Sequence, residues 1–199
     1  MDISAKKVME LRTMTGAGMM DCKTALADAG GDMEKAVRLL REKGIATARK
    51  RSNRDTAHGY IATYVHTGEK LGVMVELNCE TDFVARNDKF REFARNLAMH
   101  IAATNPLAIS EESIDPAKIE SEKETYRAQA LNEGKKPDFI SKIVEGRLNK
   151  FYKECCLLHQ IYVRDETGKL TIQDKLNELI AIIGENIRIG RFIRYEVGA

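Results

Sequence analysis

Apolar residues recur at helical intervals through the first 45 or so positions and then change to alternation, so the period itself divides the chain. Ser4 is placed to cap a first helix, with Ile3 before it and Val8 at the fourth helical position as a hydrophobic staple; Val8 and Leu11 mark its apolar face. Thr15-Gly16-Ala17-Gly18 predicts a sharp stop. A second helix follows from about Met19 to Ala29, with Cys22, Leu26 and Ala29 on one side and Gly30-Gly31 ending it. Asp32 then caps a third helix, which turns Ala36, Val37 and Leu40 inward and which Gly44 is expected to close. Three short helices predict a small bundle, marginal in isolation.

Farther along, Ile61, Thr63 and Val65 share one face, and Val73, Val75, Leu77 and Cys79 share another across a Thr67-Gly68-Glu69-Lys70 turn, which predicts a β-hairpin. A helix over about Asn87 to Thr104 carries Phe90, Phe93, Leu97 and Ile101 on one stripe, and another runs from about Ile172 to Ile183. A last strand places Ile187, Ile189, Ile193, Tyr195 and Val197 at one parity, interrupted only by Arg191. Strands at both ends with helices between them predict an α+β layer, an antiparallel sheet covered on one side. Between them, Pro116 to about Glu133 and Pro137 to about Tyr152 read as two helices joined by Asn132-Glu133-Gly134-Lys135-Lys136. The first offers only Ile119, Tyr126 and the Ala130-Leu131 pair for burial, opposite Ile140, Ile143, Leu148 and Phe151 of the second. So narrow a stripe suits a coiled-coil arm projecting roughly 24 Å; helices lying flat on the sheet usually carry a wider one. The expected boundaries are a helical domain at 1–52 and an α+β core at 53–199, with the hairpin inserted at about 115–153.

Composition narrows the class. The chain has 199 residues, 43% of them hydrophobic, enough for a core without staples. It has no run of roughly 18 apolar residues, and Met1 to Lys7 lacks the apolar stretch of a secretory signal, so a cytoplasmic location and no membrane partner are expected. Cys22, Cys79, Cys155 and Cys156 show no C-x-x-C spacing and read as buried free thiols rather than metal ligands. Residues 1–54 carry 12 Lys and Arg against 7 Asp and Glu, so the basic part is N-terminal. Its densest stretch, Lys43 to Arg54, has two readings: a contact to ribosomal or other RNA, or a solvated helix end and linker. The absence of an aromatic residue to stack a base favours the second.

No constellation for covalent chemistry emerges. Gly16 to Thr24 imitates a phosphate loop, but Ala17 and Cys22 stand where that loop needs glycine, a helix precedes it, and Asp21 would repel phosphate. His58, His66, His100 and His159 have no partner spacing, although the first two share strand parity. The chain is therefore expected to be no enzyme, to hold no metal or cofactor and to bind no nucleotide directly. Met19 and Met20 are adjacent on a small helix and cannot both face its core, so one is expected to be exposed, in keeping with either an interaction surface or an isolated apolar residue. Thr81-Asp82-Phe83-Val84 connects a strand to a helix. Phe83 can be a staple under that helix or a knob for a partner, and Asp82 can be a helix cap or a functional carboxylate.

The residues Leu11-Arg12, Thr15 to Lys23, Gly31-Asp32, Cys79 to Ala85, Val144-Glu145-Gly146-Arg147 and Phe192 to Gly198 occur in an order, over essentially the whole chain, that resembles the elongation factor Ts family. The resemblance implies a guanine-nucleotide exchange factor of elongation factor Tu. It implies a ubiquitin-associated-like bundle that touches the GTPase through Arg12, Met19 and Met20. It also implies insertion of Thr81, Asp82, Phe83 and Val84 beside the GTPase's magnesium and phosphate site, the aromatic wedging between helices there. Longer members of the family carry the α+β core twice, whereas this chain has one hairpin and one Thr-Asp-Phe segment. The short members supply the second copy by dimerising, so a homodimer binding two GTPases is expected.

Overall fold

A computed structural model describes residues 3–198. The first three helices are α1 (Ala5–Thr15), α2 (Met19–Asp28) and α3 (Met33–Arg51). The caps are local and fall where the sequence places them: the Ser4 side chain accepts from Lys7 N, Asp32 accepts from Lys35 N, and Gly16 ends α1 at φ 67°. Their shared core is Val8, Leu11, Cys22, Ala25, Leu26, Ala29 and Ala36, with Ile3, Val37 and Leu40 partly buried against it.

Gly44 does not close α3, which continues for two more turns to Arg51 and takes in most of the stretch expected to be a linker. The glycine lies at a helix crossing instead. Gly44 faces Ala181 and Asn177 of a later helix, at a spacing that leaves room for a small residue. Arg41 Nη2 ties the same crossing to Asp174 Oδ2 at 2.6 Å.

Strands β1 (His58–Val65), β2 (Leu71–Cys79) and β3 (Ile187–Glu196) form one sheet in the order β1-β2-β3. The hairpin makes β1 and β2 antiparallel. β3 is antiparallel to β2 as well, because Asn186 meets Glu80 at one end and Val197 N donates to Lys70 O at the other. Val73, Val75, Leu77 and Cys79 are buried as the alternation predicts, while Ile61 and Val65 lie exposed and Ala62 is the buried residue of β1.

The single-parity face expected of β3 is not there. Ile187 and Ile189 are buried, but Ile193, Tyr195 and Val197 are exposed. Gly190, where a Cβ would collide with Asn78 Oδ1, and Arg191, whose Nε meets Glu76 Oε2 at 2.8 Å, share one face although they are consecutive. Two neighbours on one face are the offset that one extra residue in a strand produces, and every later side chain is turned over.

Five further helices are α4 (Asp82–Ala85), α5 (Asp88–Thr104), α6 (Pro116–Asn132), α7 (Pro137–Cys155) and α8 (Ile172–Ile183). α5 buries Phe90, Ala94, Leu97, Ala98 and Ile101, and α8 buries Ile172, Leu176, Leu179 and Ile180. α6 and α7 pack against each other. Ala130, Ile140 and Val144 form the distal core of the pair with Tyr126 and Ile143, and Arg147 reaches across to Gln129 and Glu133 at 2.7 Å each. Leu131, expected in the seam, is exposed.

The chain divides into two compact units. One holds residues up to Tyr64 with Met74–Ala98 and Asp174–Ile193; the other holds Val65–Val73, Met99–Gln173 and the residues from Arg194 on. In the second, buried His100 donates Nε2–H to Gln160 Oε1 (3.0 Å) and accepts Val163 N at Nδ1 (3.3 Å). A backbone N–H can only donate, so this ring is the neutral tautomer. Burial holds its pKa below the ordinary histidine value.

Candidate functional site

The Thr81–Val84 segment enters α4, a single helical turn between β2 and α5. Thr81 is its N-cap, with Oγ1 accepting from Val84 N at 3.5 Å, so the capping role considered for Asp82 belongs to its neighbour. Asp82 occupies the first helical position and pairs with Arg86 at 2.9 Å. Below the turn, Cys79 Sγ donates to Thr81 O at 3.1 Å. Burial, the largest effect, pushes that thiol up to about 11, so it keeps the proton it donates. Above it, Arg91 Nε donates to Ala85 O at 3.0 Å while its guanidinium lies over the Tyr60 ring at 5.2 Å. Asn87 Oδ1 accepts from Lys89 N (2.9 Å) and Phe90 N (3.4 Å) and so starts α5.

Phe83 is no staple. Its side chain points outward and the residue is 83% exposed, more than any other large hydrophobic among the described residues, while its neighbour Ala85 is buried. The turn that carries this bare aromatic is itself fixed at both ends, by Glu185 before it and by Arg91 after it.

Arg12, Met19 and Met20 lie elsewhere, Arg12 on α1 and the methionines in the first turn of α2. One of the two methionines was expected to be exposed. Both are, at 41% and 70%. Arg12 is exposed too. The turn between α1 and α2 comes close to the body of its unit: a Cβ at Gly16 would stand 3.1 Å from Ile182 Cδ1 and 3.9 Å from Lys89 Nζ at the start of α5. The bundle is thus seated beside the helix that follows Phe83.

In the Lys43–Arg54 stretch, Lys43 pairs with Asp21 at 2.6 Å and Arg54 stands 3.5 Å from Glu80. Arg49, Lys50 and Arg51 occupy the last turn of α3, where cations complement the helix dipole.

Sequence reasoning missed the acids that hold the turn. Glu185 Oε2 accepts from Glu80 N (3.1 Å) and Thr81 N (3.0 Å), and its Oε1 accepts from Thr81 Oγ1 at 2.6 Å. Glu80 Oε1 in turn accepts Asn186 N at 2.6 Å. Hydrogen bonds to an ionised acceptor are worth about 1.5–3 kcal/mol each, so this network outweighs the single bond of the cap. No local signal announces Glu185, which lies 104 residues from Thr81.

Among the described residues no group of three or more His, Cys, Asp or Glu is gathered for a metal, and no helix is long and apolar enough to cross a membrane.

A family model described as Elongation factor TS matches residues 5–171. Elongation factor Ts of Nitratidesulfovibrio vulgaris is 57% identical over 199 residues, covering 100% of this chain and 98% of the relative. The proteins of the same name from Desulforamulus reducens and Caldanaerobacter subterraneus subsp. tengcongensis are 55% and 56% identical. They cover 99% and 98% of this chain and 90% and 97% of their own lengths.

Proposed function

The chain belongs to the elongation factor Ts family, guanine-nucleotide exchange factors for elongation factor Tu in translation elongation, and from that premise we propose that it acts by inserting Thr81 to Val84, Phe83 foremost, beside the magnesium and phosphate site of the GTPase. The observation that carries this reading is the exposure of Phe83 on a turn held at both ends. Exchange needs no acid, base or nucleophile in this chain and breaks no covalent bond; it needs differential binding. Burying a Phe side chain is worth about 1.5–3 kcal/mol, and spending it only on a GTPase conformation that holds magnesium and phosphate badly shifts the population toward that conformation. Linkage is reciprocal, so the nucleotide lowers the affinity for this protein by the factor that this protein takes off the nucleotide.

Arg12, Met19 and Met20 form a second contact on the same GTPase, from a ubiquitin-associated-like bundle at residues 1–52. The core at 53–199 carries the hairpin at about 115–153 as a coiled-coil arm. It works as a homodimer, two copies binding two GTPases in the cytoplasm. The outer face of the sheet supports the dimer, since Ile61, Met74 and Ile193 stand exposed there around the Glu76–Arg191 pair. No membrane, metal or cofactor takes part, and the chain touches neither nucleotide nor nucleic acid. An RNA contact through Lys43–Arg54 draws no support from the paired Lys43 and Arg54.

Stopped-flow release of a fluorescent GDP analogue from elongation factor Tu tests the wedge. Phe83→Ala is expected to keep the circular dichroism and unfolding midpoint of the parent and to lose most of the acceleration; unchanged acceleration overturns the role. Sedimentation equilibrium at micromolar concentration tests the dimer, which a monomer mass refutes.

A further inference from the structure

A four-residue helix has no stability of its own, because nucleation costs more than one turn returns. The conformation of α4 must therefore be imposed from outside: Arg91 holds Ala85 O at its end, and the bonds that enter its start converge on Glu185. Gly184, at φ 88°, ends α8 by donating its N–H to Ile180 O at 2.9 Å and turns the chain so that Glu185 meets the end of β2. The Glu185 carboxylate takes the only hydroxyl proton of Thr81, which leaves an oxygen lone pair of Thr81 for Val84 N. The same carboxylate fixes the two peptide N–H groups immediately before α4.

The adjacent pair works in the opposite direction. Glu80 accepts Asn186 N, and Asn186 Nδ2 donates to Ser52 O (3.3 Å) and Arg54 O (2.7 Å), just past the end of α3. Two pairs of neighbours, Glu80-Thr81 and Glu185-Asn186, thus exchange side chain for backbone and tie in the exit of the three-helix bundle.

We propose that Glu185 is a positioning residue for the exchange reaction: it holds α4 in the conformation that presents Phe83 outward, and so sets the fraction of free molecules able to engage the GTPase. This rests on the wedge reading above. A binder competent only in part of its population shows an apparent Kd raised by the inverse of that fraction. Once the complex has formed, the GTPase itself enforces the bound shape. Losing the latch therefore raises the concentration of exchange factor needed for half-maximal GDP release and leaves the plateau rate alone.

The test compares the parent, Glu185→Gln, Phe83→Ala and the double variant in stopped-flow release of the fluorescent GDP analogue, over a range of exchange-factor concentrations, with urea unfolding of each protein alongside. Glu185→Gln puts an amide donor among three donors and so weakens the latch without changing the size of the side chain. Its half-saturating concentration is expected to rise about tenfold, as it does when the competent fraction falls to about a tenth, at an unchanged plateau. In the Phe83→Ala background the same substitution should change nothing further. Equal effects with and without Phe83, a lowered plateau, an unmoved half-saturation, or a shift that merely follows the unfolded fraction would each overturn the proposal. If Phe83→Ala alone leaves exchange unchanged, the wedge reading is what has failed, and that arm is read independently of Glu185.

Discussion

Gly44 of α3 lies directly against Ala181 of α8, and a Cβ at Gly44 would stand 3.6 Å from the Ala181 methyl carbon and 3.7 Å from Asn177 O. These are ordinary contact distances, so one methyl fits where a longer side chain does not. Gly44→Ala is expected to stabilise the protein by about 0.5–1 kcal/mol through helix propensity, whereas Gly44→Leu should cost about 1–3 kcal/mol by prising the helices apart. Urea unfolding of the two variants reads both signs. A destabilised alanine variant would mean that the crossing tolerates no added atom.

The exposed methionines separate binding from folding. Met20→Ala removes no core contact and should leave stability within about 0.5 kcal/mol of the parent. In contact with elongation factor Tu it should cost about 1 kcal/mol of affinity, roughly fivefold in Kd by calorimetry. An unaltered Kd removes Met20 from the interface.

Two glycines of the sheet should differ in their tolerance of alanine. A Cβ at Gly59 collides with Leu77 O, which is backbone, while one at Gly190 meets Asn78 Oδ1, the end of a side chain that can turn away. Gly59→Ala is expected to cost about 1–3 kcal/mol and Gly190→Ala distinctly less, both measured by thermal or urea unfolding. Equal losses would show that Asn78, which donates to Glu76 Oε1 at 2.9 Å, is as fixed as the backbone.

His100 makes stability depend on pH. Its folded pKa lies below the unfolded value of about 6.5, so between the two the unfolded chain binds more protons. The neutral ring's contribution is complete above about pH 6.5 and is lost as pH falls through the folded value. His100→Gln should lower the urea midpoint at about pH 8 and flatten its decline from about pH 6.5 downward, relative to the parent. A parallel decline in both proteins would assign the acid sensitivity to other groups.

What could be read from the sequence was local. Ser4 and Asp32 announce their helices because a cap bonds three residues along its own chain, and the hairpin of β1 and β2 follows from alternation around one turn. What escaped was set by distance. Gly44 carries the same local signal as a C-terminal glycine, and only the passage of α8 shows that it lies at a helix crossing inside α3. The turnover of β3 between Gly190 and Arg191 needs Asn78 and Glu76 of the neighbouring strand to be seen. Phe83 has the spacing of a staple, and the turn that points it outward is bonded at Thr81 by Glu185, 104 residues away, and at Ala85 by Arg91. Thr81 to Val84 could be singled out from their resemblance to a family; the acids that hold them could not.

The distal core of the α6–α7 hairpin is made only from the two helices themselves, Tyr126 and Ala130 on one and Ile140, Ile143 and Val144 on the other. Nearer its base, Ile119 and Phe151 join Ala108, Ile114 and Cys156 in a different cluster. Apolar groups that are buried only against each other can separate without disturbing anything beyond them, so the tip is expected to open as a unit of its own. Its amide hydrogens should exchange through a local opening that leaves the rest of the molecule protected. The far end of the hairpin is accordingly expected to accept shortening, lengthening or rewriting as an independent cassette.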